Sequence, residues 1–320
     1  MEKIKTAVIG VGHLGSRHAR IYSELPGVEL AAVVDSDRTR ARDIAEQYGA
    51  RACPTIADLP EDVEAVSVVV PTDRHFQVSA QLLEMGYHLL IEKPITVTVA
   101  EAEQLHRMAQ ERSLMIQVGH VERFNPAILA VEKILGIPRF IECHRLAPFQ
   151  PRGTEVSVVL DLMIHDLEII LHLVASPVES VEAVGMPVLS PSEDIANARI
   201  SFRNGCIANV TASRISAQRM RKIRIFQDDA YISLDYNAQE ARVFRVEAGR
   251  ILGETLGTER KEPLKLELSS FVDSVRLGGK PQVPAEHGLG ALRLANEILA
   301  QAARETKKLA RLREKKQEQW

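Results

Sequence analysis

At 320 residues and 45% hydrophobic, the chain can bury a sizeable core and divide into two domains. Its formal net charge of -3 and pI near 6.4 give no global basic field, which argues against a bulk nucleic-acid or membrane-surface role. Three cysteines, Cys53, Cys143 and Cys206, lie far apart without metal-ligand spacing, so a reducing, cytoplasmic compartment is expected; the N-terminal run lacks a signal-peptide core and nothing approaches transmembrane length.

The first third alternates short β-branched runs with helical patterns, which predicts βαβ units on a parallel sheet. Strands are expected at Thr6 to Val11, Glu29 to Asp35, Ala65 to Val70, His88 to Glu92 and Leu114 to Val118. Helices are expected between them, at Arg17 to Leu25, Thr39 to Tyr48, His75 to Met85 and Ala100 to Arg112. Near Gly119 the pattern changes. From Arg139 onward, alternating runs joined by turn signals predict antiparallel hairpins. Asn204-Gly205 joins Ala198 to Arg203 with Cys206 to Ser213, and Asp228-Asp229 joins Lys222 to Gln227 with Tyr231 to Asp235. The fold class is therefore α/β: a Rossmann doubly wound parallel sheet over residues 1–120, then an α+β domain with a largely antiparallel open sheet over residues 121–320. The charged stretch from Arg304 to Trp320 reads as a fraying helix end.

Gly10-Val11-Gly12-His13-Leu14-Gly15 follows the first strand and opens a helix. Glycines there allow a tight turn, close approach of backbone to a pyrophosphate, and close helix-to-strand packing. Asp35 ends the second strand, where a carboxylate can accept from ribose hydroxyls and repel a 2′-phosphate. NAD is thus expected over NADP, with Arg38 and Arg40 able to soften the preference.

In Tyr87-His88-Leu89-Leu90-Ile91-Glu92-Lys93-Pro94, an apolar strand fixes an amine at the sheet's carboxyl edge, where open parallel sheets bind ligands. Pro94 lacks a backbone donor and stops the strand. A second constellation lies in the apolar stretch Val158 to Val174. There Asp161, His165, Glu168 and His172 recur at helical spacing, which predicts one stripe. The stripe lines a cleft, faces solvent, or supplies metal ligands; the breadth of the apolar arc favours the cleft, and no supporting cluster favours a metal.

Taken together, the glycine loop, Pro71-Thr72 with His75, Glu92-Lys93-Pro94, and the Asp161-to-His165 helix resemble the GFO/IDH/MocA oxidoreductases over nearly the whole chain. The resemblance implies NAD contacts from Gly10, Gly12, His13, Leu14, Gly15, Asp35, Pro71, Thr72, His75, Glu92 and Lys93. It also implies a catalytic set of Lys93, His165 and Asp161, all three near substrate. Val118 to Pro126 and Asp161 to Asp166 are similar to members that oxidise the 3-hydroxyl of UDP-N-acetylglucosamine. Their 3-keto product goes to a partner aminotransferase on the way to lipid A precursors. Met163-Ile164 departs from the family, in which a glycine is common in this stretch.

The reaction itself sets requirements. Oxidising a secondary alcohol needs a base for its proton, a cation for the developing alkoxide, and exclusion of water. His165 is the natural base and Lys93 the natural cation, with Asp161 orienting the imidazole or binding a neighbouring hydroxyl; the roles of Lys93 and His165 can also be exchanged. Arg123, Asn125 and Arg152 are the candidate donors for a sugar nucleotide's diphosphate. Arg214, Arg219, Arg221, Lys222 and Arg224 form a run of cations without an acid, which suits either phosphate or a solvated strand face. A sheet face with Ile223, Ile225, Ile232 and Leu234 is expected to form a homodimer or homotetramer contact. Two alternatives stand beside the leading function: dehydrogenation of another sugar, inositol or polyol, and a non-catalytic NAD-dependent regulator.

Overall fold

The computed structural model describes residues 3–150, 154 and 156–317. The chain forms two compact units, one of residues 1–124 with 261–289, the other of 125–260 with 290–320.

In the first unit, β1 (Ile4–Ile9), α1 (Gly15–Glu24), β2 (Val28–Val34), α2 (Arg38–Tyr48), β3 (Arg51–Cys53), β4 (Ala65–Val68), α3 (His75–Glu84), β5 (His88–Glu92), α4 (Val99–Glu111) and β6 (Ile116–Gly119) follow in turn. The sheet is wholly parallel in the order β3-β2-β1-β4-β5-β6, the doubly wound arrangement whose ligand crevice opens where the order reverses, at β1 and β4. Local chemistry sets the helix ends. Asp37 accepts from the N–H groups of Thr39 and Arg40 to start α2, and Gly49, at φ 68°, ends it. Thr98 and Glu101 form a reciprocal capping box on α4, satisfying donors the helix cannot pair itself. The strand at Arg51–Cys53 is only three residues long and carries no periodic signal, so it was not foreseen.

The second unit begins with α5 (Pro126–Glu132) and β7 (Phe140–Leu146). A π-helical turn, Val159–Met163, then leads into α6 (Ile164–Val174). Strands β8 (Val178–Met186), β9 (Ile195–Phe202), β10 (Ile207–Ser213), β11 (Met220–Phe226), β12 (Tyr231–Asp235), β13 (Glu240–Glu247) and β14 (Arg250–Leu256) complete an eight-stranded sheet ordered β14-β13-β12-β11-β7-β10-β9-β8. Its one parallel pair is β7 with β10. Both expected hairpins form, β9 with β10 and β11 with β12. Two helices follow: α7 (Pro263–Leu277) and α8 (Ala285–Gln317).

Two expectations need correction. Residues 121–320 were assigned to the second domain, yet 261–289 return to the first unit, because Leu264, Leu268, Phe271 and Val272 of α7 join the core that includes Val8, Ile21, Tyr22 and Leu30. Ile223, Ile225, Ile232 and Leu234 do not form an open face: each is 0% exposed, packed in the core with Ile164, Leu167 and Ile170 of α6. The period-two pattern was right and the side assigned to it was wrong. The opposite face carries a row of rings across four strands. Phe140 and Phe226 lie 5.6 Å apart, Phe226 and Tyr231 4.8 Å, and Tyr231 and Phe244 5.3 Å between centroids. The cation run is no uniform patch either: Arg214 is buried against Asp194, Lys222 pairs with Asp235, and Arg224 pairs with Glu142. Among the described residues, no helix is long and apolar enough to cross a membrane.

Candidate functional site

In the first unit the candidates gather at the carboxyl ends of β1, β2, β4 and β5. The Gly10 amide donates to Val34 O at 2.7 Å, which joins the glycine loop to β2. Gly10 has φ +85°, and a Cβ there would lie 2.5 Å from Val69 O. At Gly15 the added carbon would lie 1.8 Å from Gly10 O, whereas at Gly12 nothing comes nearer than the Arg40 guanidinium at 3.9 Å. Two glycines thus permit the fold of the loop, and the third leaves its surface open. That is the cradle a pyrophosphate requires. His13 is exposed on this loop, 3.2 Å from Arg17, and Leu14 precedes the first residue of α1.

Asp35 accepts from Val11 N–H at 2.8 Å and from Asp37 N–H at 2.8 Å. Arg40 reaches the same carboxylate at 3.4 Å and Asp37 at 3.1 Å. The carboxylate is therefore oriented by backbone at the end of β2, with a cation across it. These residues fit a dinucleotide.

Pro71 and Thr72 begin the turn after β4, Pro71 exposed and Thr72 half-buried. The side chains of His75 and Glu92, read from sequence as cofactor contacts, are tied to neighbouring segments of the first unit. His75 is 1% exposed, with Nδ1 2.9 Å from Pro94 O and Nε2 2.9 Å from Val70 O. It ties the turn after β4 to the segment after β5. Glu92 accepts from Lys93 N–H at 3.2 Å and lies 3.3 Å from His18 Nε2. Burial opposes its ionisation, but the His18 hydrogen bond and the N–H and charge of Lys93 outweigh that and hold the carboxyl below its ordinary range. Lys93 is half-buried at the strand end.

In the second unit Asp161 lies in the π turn and His165 in the first turn of α6, both half-buried. The expected single helix is thus two segments. Ile164 N–H donates to Val159 O, the five-residue step of a π turn. The four-residue stripe breaks up accordingly: Glu168 is 1% exposed and His172 lies 3.1 Å from Glu132. Met163 and Ile164 are both 0% exposed, so the side chains that replace the family's glycine are absorbed in the core.

Buried ion pairs flank this helix start. Arg145 donates to both oxygens of Asp166, next to His165, at 2.7 and 2.8 Å, and its guanidinium lies 5.3 Å from the Tyr236 ring centroid. Arg214 donates to Asp194 at 2.8 Å and to Val156 O at 2.8 Å, while Val158 N–H donates to Glu193 O at 2.9 Å. The backbone just before the π turn is therefore anchored on both sides. Burial opposes the ionisation of Asp194, but the Ser190 hydroxyl and the N–H groups of Leu189, Val188 and Ser190 hold its carboxyl far below the usual range.

The diphosphate candidates fare differently. Arg123 is 2% exposed, inside the protein rather than at a surface. Asn125 is spent on structure: its Oδ1 caps α5 through Ala127 N–H at 3.1 Å and its Nδ2 donates to Tyr236 O at 3.1 Å. Arg152 lies outside the described residues. Among the described residues no group of three or more His, Cys, Asp or Glu is placed to hold a metal. Sequence reasoning missed His18, Tyr22, Ser67, Arg145 and Asp194. His18 and Tyr22, four apart on the apolar face of α1, offered a readable signal; the others pair across long sequence separations.

The doubly wound sheet, the glycine cradle and the oriented carboxylate after β2 define an NAD-binding oxidoreductase. The family described as "Oxidoreductase family, NAD-binding Rossmann fold" matches residues 4–120, and the GFO/IDH/MocA C-terminal domain matches residues 129–233. The chain belongs to the GFO/IDH/MocA oxidoreductase family. It is 38% identical over 282 residues to UDP-N-acetylglucosamine 3-dehydrogenase of Acidithiobacillus ferrooxidans, covering 86% of this chain and 90% of that protein. A solved structure of that enzyme superposes with TM-score 0.90 at 35% identity, over 95% of this chain and 99% of that one. scyllo-Inositol 2-dehydrogenase (NAD(+)) of Bacillus subtilis is 27% identical over 67% of this chain and 68% of its own length. Levoglucosan dehydrogenase, solved with NADH and levoglucosan, shares the fold at 18% identity and TM-score 0.86, over 95% of this chain and 98% of that one.

Proposed function

We propose that this chain oxidises the 3-hydroxyl of UDP-N-acetylglucosamine to a 3-keto sugar nucleotide with NAD. The observation that carries the reading is the 38% identity, over 86% of this chain, to the Acidithiobacillus ferrooxidans dehydrogenase. Bound NAD supplies the hydride-accepting nicotinamide carbon. The chain's own residues do the rest. Lys93 and His165 act on the substrate hydroxyl, one as a cation beside the developing alkoxide and the other as the base that takes its proton. Asp161, four residues before His165 and in the π turn, orients the imidazole or binds an adjacent hydroxyl.

Pure protein incubated with UDP-N-acetylglucosamine and NAD should generate NADH absorbance and a 3-keto product. Neither signal, even with a 3-keto-sugar aminotransferase pulling the equilibrium, would sink the proposal. Lys93→Ala and His165→Ala should each lower kcat by on the order of 10² to 10³ while leaving NAD affinity nearly intact; a variant with near-normal turnover removes that residue from its role. The relation to scyllo-inositol 2-dehydrogenase favours a second reading, an inositol or free-sugar substrate, which a panel of polyols with NAD separates from the first. The presence of both Lys93 and His165 weighs against a non-catalytic regulator.

The same reading includes a cytoplasmic enzyme that hands its ketone to an aminotransferase and associates with its own copies. The ring row of Phe140, Phe226, Tyr231 and Phe244 is the surface proposed for that association. Light scattering of Tyr231→Glu should show a smaller assembly than the parent chain.

A further inference from the structure

The π turn of the second unit lies between two fixed points. On one side Val158 N–H donates to Glu193 O at 2.9 Å. On the other, Asp166 is 0% exposed and paired with Arg145. Between them the backbone hydrogen bonds change step. The N–H groups of Leu160 and Asp161 both donate to Ser157 O at 3.0 Å, three and four residues back, whereas Ile164 N–H donates to Val159 O, five residues back.

Burial shows that this segment carries one residue more than a regular helix needs. At about 100° per residue, an unbroken α-helix would set Leu162 about 40° round from Val158, between it and Asp166 at about 80°, on the inward side. Ile164 would stand at about 240°, beside Leu160 at about 200°, on the outward side. The structure reverses both: Leu162 is half-buried like Leu160, and Ile164 is 0% exposed. With one residue fewer, Val158, Val159, Met163, Ile164 and Leu167, each 0% exposed, would share one inward arc of about 140° in a plain α-helix. The core therefore does not require the extra residue. Asp161 and His165 feel it most. In an α-helix four residues turn about 400°, which puts position 165 about 40° past position 161. A turn closed by a five-residue bond winds less per residue and takes out that overshoot, so the two half-buried positions come into line along the axis. A shorter helix loses this. Without Leu160 the overshoot of about 40° returns, and without Leu162 the two residues are three apart and stop about 60° short.

We propose that the extra residue of the π turn is a positioning insertion: it sets Asp161 in line with His165, and a chain that lacks it keeps its fold and its NAD affinity while losing turnover. This rests on the reading of Asp161 and His165 as the second unit's part of the catalytic site, and it holds whichever of Lys93 and His165 takes the proton. Leu160 and Leu162 are positioning residues. They act by their number in the chain, through the placement of their neighbours, and not on the reacting atoms.

The test compares two full-length chains, one with Leu160 deleted and one with Leu162 deleted, against Leu162→Ala, which keeps the residue count and removes the side chain. Both deletions restore the helical phase between Val158 and Asp166, so each should fold with a thermal midpoint within about 5 °C of the parent. The glycine loop and Asp35 lie in the first unit, so NAD affinity by calorimetric titration should stay within about threefold. Turnover of UDP-N-acetylglucosamine should fall on the order of 10² in both deletions, and Leu162→Ala should hold kcat within about fivefold of the parent. That split between residue count and side chain is a readout that a merely structural role would not give. A deletion with kcat within about fivefold of the parent overturns the proposal. So does a Leu162→Ala chain that falls as far as the deletions, since the side chain would then matter and not the count. Failure of both deletions to fold, or loss of NAD affinity in both, also overturns it, because the extra residue would then be a requirement of the structure. Near-normal turnover in His165→Ala would instead remove the reading of the site on which this rests, a result distinct from the fold and NAD affinity of the deletions.

Discussion

The two units place their candidate residues by different means. In the first, position comes from topology: Gly10, Asp35 and Lys93 follow the carboxyl ends of β1, β2 and β5, in a sheet whose order reverses beside β1. In the second, Asp161 sits in the π turn and His165 in the first turn of the α-helix after it, a junction held by buried ion pairs, Arg145 with Asp166 and Arg214 with Asp194. Strand-end sites tolerate variation in the surrounding sequence because the backbone ladder fixes them. A helix start held by buried charge depends on a few specific partners. The comparison teaches where each half is fragile: the first at its glycines, the second at its ion pairs.

The largest effect should come from Gly15→Ala. The added carbon would lie 1.8 Å from Gly10 O, a backbone atom that cannot move without the loop and α1 separating. A loss of about 4 kcal/mol or more is expected, read as failure to obtain folded protein or as a collapsed thermal midpoint. A stable, NAD-binding Gly15→Ala would break the claim that topology and close packing place the cofactor loop.

In the second unit, Arg145→Met should cost about 3 to 5 kcal/mol, because it strands the buried Asp166 carboxylate beside His165. Chemical denaturation measures the loss, and a change below about 1 kcal/mol would show that the pair does not anchor the helix. Asp194 adds a pH test. Its carboxyl is held far below the ordinary range in the folded protein, so its stabilisation is complete above about pH 4 and drains as the pH falls toward the folded value. Asp194→Asn should therefore show a lower thermal midpoint at neutral pH and a flatter decline between about pH 5 and pH 2.

This division also explains what was legible in the sequence. Strand-bound motifs were readable because the residue before and after each one carried the context: the glycine loop between strand and helix, and Lys93 between an apolar run and Pro94. Both hairpins were readable from turn residues. The pairing of Arg214 with Asp194, across 20 residues, and of Arg145 with Asp166, across 21, was not, since burial alone distinguishes a structural cation from a ligand-binding one. For the same reason the capping contact of Asn125 with Ala127 N–H and its bond to Tyr236 O were not foreseen. The side to which Ile223 and Ile225 point depends on which face the helices cover, and alternation carries no sign. The π turn left no mark in the apolar run at all.

Smaller effects sharpen the cofactor end. Asp35→Ser removes the carboxylate that receives Val11 and Asp37 N–H and faces Arg40. The guanidinium would then be available to a 2′-phosphate, and the preference for NAD over NADP should fall by about one to two orders of magnitude. Paired kcat/KM values with the two dinucleotides measure it. Unchanged discrimination would mean that Asp35 shapes the loop without reading the ribose.

Gly12→Ala is the mildest test and the most direct contrast with Gly15. Nothing lies nearer than 3.9 Å to the added carbon, and that neighbour is the mobile end of the Arg40 side chain. The fold should accept the methyl with a change of about 0.5 kcal/mol or less. What the methyl obstructs is the open surface of the loop, where backbone must approach the pyrophosphate. NAD affinity should drop by about tenfold with the thermal midpoint of the unliganded protein unmoved, as calorimetric titration and a melting curve would report. If affinity and stability fell together, Gly12 would belong with Gly10 and Gly15 as a residue that builds the loop. If neither fell, the pyrophosphate would have to lie away from Gly12, and the cradle would be narrowed to the N–H groups at the start of α1.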